Sequence, residues 1–238
     1  MKPRHAFTVV FLLVASVAPR AVAQTSTPTT AALAELTKPT KHIPFKEVIR
    51  ATTQHRILDF DPHNAAHRAL FQKLSATANA AAAKARAEGL FSARANEAGN
   101  HMEVFVKAAL KEAGLTARTP VTNEGDVQTA GYPDVEILSD PPCYLELKTY
   151  NATTANTTQR SFYYSPSEHP KVTHDALHLL LAYELEKTTR DGQTAFIPVH
   201  WKLITLQDLL VDLKFEFNQS NRGLYGKEAG QALLGEGN

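Results

Sequence analysis

Two runs, Gly131-Tyr-Pro-Asp-Val-Glu-Ile137 and Tyr144-Leu-Glu-Leu-Lys-Thr149, constrain the fold of this chain more tightly than any other feature. Both are strand-like, and Ser139-Asp-Pro-Pro142 turns the chain between them. Side chains alternate along a strand, so Glu146 and Lys148 share one face while Leu145, Leu147 and Thr149 share the other. The leucines can enter a core, which delivers the acid and the lysine together to the opposite face. Asp134 opens the first strand, with eleven residues between it and Glu146, and is expected to reach that same face.

Two carboxylates drawn together repel unless a cation lies between them, and oxygen ligands of this kind suit Mg²⁺ or Mn²⁺. Such an ion would polarise a phosphodiester and lower the pKa of a bound water. Lys148 would orient that water or stabilise charge building on the phosphate. The same residues also fit a solvent-facing hairpin whose charges form ion pairs, because many sheets have one polar face. The surrounding elements have to decide.

Phe45 to Leu58 reads as helical. Asn64 to Leu90 is alanine-rich, with Ala66, Leu70, Leu74 and Ala78 at helical spacing, and predicts a long helix ending near Gly89. A second helix is expected over Ala95 to Ala113, where Met102, Phe105, Ala109 and Ala113 step along one face and Gly114 stops it. Strands follow at Thr116–Val121, Pro133–Leu138 and Cys143–Tyr150, then a polar loop, Asn151 to Arg160. Val172, Ala176, Leu180 and Tyr183 predict a helix over Lys171 to Lys187, broken at Asp191-Gly192. A fourth strand, Ala195 to Leu206, a short helix to Leu213 and a tail complete the chain. Helix, three strands, helix, strand around one sheet predicts an α/β sandwich.

The ends and the charge distribution set further bounds. Lys2 and Arg4 precede an apolar run, Ala6 to Ala18, and Ala21-Val-Ala23 supplies small residues for cleavage, so residues 1–23 read as a secretory signal peptide. Its removal leaves about 215 residues, enough for one α/β domain. The formal charge moves from +1 to −2 with the loss of Lys2, Arg4 and Arg20, so bulk charge does not announce a nucleic-acid binder. Between Lys41 and Arg94 there are nine Lys/Arg and four Asp/Glu; between Ala95 and Pro170 there are five and ten. The acidic middle agrees with clustered carboxylates. The basic residues before it, Lys73 and Lys84 among them, could line a DNA-facing surface or simply be solvated. Cys143 is the one cysteine, so no intrachain disulfide forms, and it reads as a small buried hydrophobe.

With Pro133-Asp134, Glu146-x-Lys148 and this element order in place, the stretch Ala95 to Leu206 resembles the PD-(D/E)xK nuclease superfamily, which includes many type II restriction endonucleases. The resemblance implies a restriction-endonuclease-like sandwich with an N-terminal helical extension. It implies an Mg²⁺- or Mn²⁺-dependent endonuclease acting on nucleic acid, with DNA the expected substrate. Asp134 and Glu146 would be metal ligands and Lys148 the catalytic lysine. Glu103, on the preceding helix, stands where many members place a third acid or water-mediated ligand. Arg160, Lys171 and His174 are candidate substrate contacts, and cleavage of both strands would favour a homodimer. The signal peptide departs from the pattern: it predicts a periplasmic or secreted enzyme with no stable membrane association once the signal is removed.

Two other classes stay open. His174 and His178, at i and i+4 of the expected helix, could bind zinc in a hydrolase or peptidase, with Asp175 where HExxH enzymes place a glutamate. A non-catalytic nucleic-acid-binding module could keep the same fold. The organisation expected is a signal peptide at 1–23, a flexible leader at 24–40, a helical region at 41–94 and the nuclease core and tail at 95–238.

Overall fold

The computed structural model describes residues 29–225; the expected signal peptide lies outside them. They fall into two compact units. Residues 29–38 and 219–225 belong to one, with helices α1 (Thr30–Leu36) and, at the other end of the chain, Asn221–Tyr225. Part of the stretch expected as a flexible leader is therefore helical, because the Thr29 hydroxyl accepts from the Ala32 N–H and caps α1.

Residues 39–218 form the other unit. In chain order it contains β1 (Thr40–Pro44), α2 (Phe45–Thr53), β2 (Ile57–Leu58), α3 (Ala65–Glu88), β3 (Leu90–Phe91) and α4 (Ala95–Glu112). Then come β4 (Ala117–Arg118), β5 (Val135–Ile137), β6 (Cys143–Tyr150), β7 (Ala176–Arg190), β8 (Gln193–Thr205) and β9 (Leu210–Leu213). The main sheet runs β3-β8-β7-β6-β5-β4, with β2 beside the start of β7, while β1 and β9 make a separate antiparallel pair. The sheet is mixed: β6 and β2 run parallel to β7, and the other pairings are antiparallel.

Alternation along the strands sorts two cores. Leu145, Leu179 and Leu181 face Leu74, Ala78 and Ala81 of α3 and Met102 and Val106 of α4. Alanines on α3 let it lie close to the sheet: the Tyr183 hydroxyl donates to the Ala78 carbonyl at 3.2 Å, and Trp201 Nε1 to Asn79 Oδ1 at 2.8 Å. Asn64 caps the start of α3, and Arg190, at the far tip of the β7–β8 hairpin, donates to the Ala87 and Arg86 carbonyls at its end. On the other face Tyr144 packs with Phe45 and Ile49 of α2, Tyr132 and Val172.

The main departure from expectation is β7. The segment expected as a helix over Lys171–Lys187 is a central strand from Ala176 to Arg190. Its first half is buried on both faces, so it reads as a near-continuous apolar run, and Ala176, Leu180 and Tyr183 satisfy a helical spacing by coincidence. Parallel strands need a long crossover. Here residues 151–175 supply it, with only a 3₁₀ turn at Ala152–Thr154. The region 41–94 likewise contains strands as well as helices: α2 ends at Thr53, where Gln54 turns left-handed, and β2 follows. The short helix expected before Leu213 is a turn and then β9. Of the Thr116–Val121 strand only Ala117–Arg118 joins the ladder, with an isolated bridge from Val121 to Val127.

Candidate active site

The β5–β6 ladder brings the two acids together. Val135 pairs with Leu145, and the register continued one step sets Asp134 against Glu146. At that step the β5 ladder ends. Asp134 takes over as partner, its Oδ2 accepting the Leu147 N–H at 2.8 Å. Beyond it β6 has no neighbour on the β5 side, and a cavity of about 350 Å³ opens there. Glu103, Asp134, Lys148 and Arg160 all line this cleft. Gly99 makes the helical wall possible: a Cβ there would stand 3.0 Å from Thr149 Oγ1, so α4 meets β6 without an intervening side chain.

Glu146 is only 3% exposed. One oxygen bonds to the Lys148 ammonium; the other, Oε2, is buried with no hydrogen-bond partner among the described residues. Burial and the neighbouring Asp134 push its carboxyl up to about 7, against the opposing pull of Lys148. A buried, unpartnered oxygen beside a second carboxylate is costly unless a cation completes it. The donor set therefore fits a divalent ion held by Asp134 and Glu146. Glu103 is separate from this pair: it bonds to Lys107 at 2.6 Å, and no set of three or more His, Cys, Asp or Glu side chains gathers to hold a metal among the described residues.

The other expected contacts divide. Arg160 is exposed on the cleft wall. Lys171 is withdrawn from solvent at 4% exposure, donates to the Gly131 carbonyl and so holds the turn leading into Asp134. Its charge still faces Asp134, Glu146 and Glu103, while burial lowers its pKa. It supports the acids from behind and is not a surface contact. His174 lies away from the cleft, accepting from or donating to the Tyr144 hydroxyl at 3.1 Å, with its Nε2 3.9 Å from Glu136.

The zinc arrangement loses its scaffold, since no helix carries the two histidines. His174 precedes β7, whereas His178 sits within it, fully buried, with Nδ1 2.6 Å from the Tyr132 hydroxyl. Burial and His174 hold its pKa down at about 3, so it is neutral at working pH. Glu136 lies two residues beyond Asp134 on the same strand face. It is buried, its charge met by Arg118 at 2.8 and 3.1 Å. The period-two pattern Asp134–Glu136 was the available signal, because it puts both acids on the inner face.

The class of the protein follows from comparison with known sequences: the chain belongs to a type II restriction enzyme family. The matching sequence model, over residues 38–228, is that of the Type II restriction enzyme MjaV family. A curated relative, Type II restriction enzyme MjaV of Methanocaldococcus jannaschii, is 33% identical over 213 residues, covering 82% of this chain and 90% of the relative. No solved structure matches.

Proposed function

We propose that the chain is a divalent-metal-dependent DNA endonuclease hydrolysing phosphodiester bonds in the cleft over Asp134, Glu146 and Lys148. The observation that carries this is the unpartnered Glu146 Oε2 beside Asp134 where the β5 ladder ends, in a chain of restriction-enzyme family. Mg²⁺ or Mn²⁺, held by Asp134 and Glu146, would polarise the phosphate and make a bound water nucleophilic at neutral pH. Lys148 fixes the Glu146 carboxylate through their ion pair and offers an ammonium to charge developing on the phosphate. Arg160 faces a backbone phosphate from the cleft wall, and Lys171 keeps Asp134 in register from inside. Glu103 is the outer acid; its Lys107 pair opens or is shared when it acts.

We read the core as a restriction-endonuclease-like sandwich in which a loop crossover and β7 replace the second helix. The support is α4 followed by the β4–β6 meander, with the acids at its open end. Cleavage of both strands favours a homodimer. The charged start, apolar run and Ala21-Val-Ala23 support export to the periplasm or beyond. Finding Gln24 at the N-terminus of the protein purified from its native cells would agree; Met1 or Lys2 there would end that part of the reading.

The test is plasmid DNA with and without Mg²⁺ or Mn²⁺. Cleavage should require the ion and fall by about 10³-fold or more in Glu146→Ala and Lys148→Ala, a loss in the range produced by removing a main electrostatic contributor. Undiminished cleavage in those variants would place the chemistry elsewhere.

A further inference from the structure

A second cleft, of about 310 Å³, adjoins the first across Lys148, and the two share Lys148, Thr149, Gln159 and Ser161. Its floor is the sheet face carrying Glu146. Strand register places Lys148, Ala182 and Lys202 in one row across β6, β7 and β8. The two lysine backbones are thus two strand spacings apart, about 10 Å, with the small Ala182 between them. Lys202 Nζ lies 5.3 Å from the centre of the Tyr150 ring, and no carboxylate pairs with it among the described residues. Thr154 and Thr157 close the cleft from the crossover, their hydroxyls donating to the Asn151 and Thr154 carbonyls.

The two clefts differ in charge. The first is lined by Glu103 and Asp134 as well as by Lys148 and Arg160; the charged residues lining the second are both cations, Lys148 and Lys202, with Glu184 beside Tyr150 at its edge. Ammonium groups and an aromatic face are groups that receive a nucleotide: phosphate on the cations, base on the ring. A small residue between the lysines leaves room for the chain to pass.

We propose that this second cleft is a subsite for the nucleotide flanking the scissile bond, with Lys202 meeting its phosphate and Tyr150 its base. Lys148 then joins the two sites, so a strand held by Lys202 and Tyr150 is led over the acid pair. The subsite rests on the nuclease reading for its biological sense, but its binding can be measured separately.

The test uses labelled plasmid-derived duplex DNA and Ca²⁺ in place of Mg²⁺, with affinity followed against salt. Lys202→Met should bind about tenfold more weakly and reduce the slope of log affinity against log salt by about 0.9, the change expected for one lost phosphate contact. Lys202→Arg should restore that slope. Tyr150→Leu should also bind about tenfold more weakly but keep the slope, because stacking carries no charge. Lys111→Met, at the exposed end of α4, should change neither quantity. An unchanged slope in Lys202→Met, with its melting temperature intact, overturns the subsite. So does an equal loss in Lys111→Met, which would make binding diffuse. Plasmid cleavage in Mg²⁺ is scored alongside. A wild-type protein that fails to cleave, yet shows the Lys202 slope change, defeats the nuclease reading and leaves the strand-binding site standing.

Discussion

Glu146 carries opposed demands: it is buried like a core residue and charged like a ligand. Its folded value of about 7 lies above the ordinary 4.5. Between those values the folded protein holds a proton that the unfolded chain has lost. This group's contribution to stability is therefore complete below pH 4.5, declines through the window and stays reduced above about 7. Glu146→Gln should raise the melting temperature of metal-free protein at pH 8 by several degrees, a gain on the order of 2 kcal/mol, and have little effect near pH 4. A lower melting temperature at pH 8 would show that the carboxylate is not strained in the ion-free state. Mn²⁺ held as proposed by Asp134 and Glu146 would displace the proton, so its stabilisation of the wild type should grow with pH up to about 7 and then level. Thermal shift with Asp134→Asn as the comparison checks this; that variant should lose most of the Mn²⁺ effect.

The contact between α4 and β6 is one of elements, and it turns on Gly99 and Thr149. Alanine at 99 gains helix propensity of about 1 kcal/mol, but its methyl would press on Thr149 Oγ1. Gly99→Ala should leave the melting temperature within a few degrees while lowering cleavage about tenfold, because a misplaced wall costs more in rate than in stability. Thr149→Ala added to it should recover most of the rate; no recovery would mean that the glycine serves some other purpose. The strands that hold the acids were readable because Glu146 and Lys148 alternate with leucines and prolines bound the turn. The helices α3 and α4 were readable for a similar reason: each has one apolar face and a clear stop. β7 was not, since a strand buried on both faces loses the period that identifies it. Nor does a list of charges tell which ones turn inward: Glu136 and Lys171 are defined by partners at Arg118 and Gly131, distant in the chain.

At the scale of the molecule, the acids, both clefts and the helical layer all lie within residues 39–218. Removing residues 1–38 should therefore leave plasmid cleavage within about twofold of the full chain, a margin set by the usual context dependence of such effects. A large loss would show that the N-terminal segment contributes to the site. Trp201 stands on the side of β8 turned to α3, bonded to Asn79, whereas its neighbour Lys202 turns to the second cleft. It is the one tryptophan in the chain. Intrinsic fluorescence therefore reports the seating of α3 on the sheet from the face opposite the second cleft. Its emission should shift as the layers part on heating, yet stay nearly still as DNA is titrated in, giving unfolding an optical signal of its own.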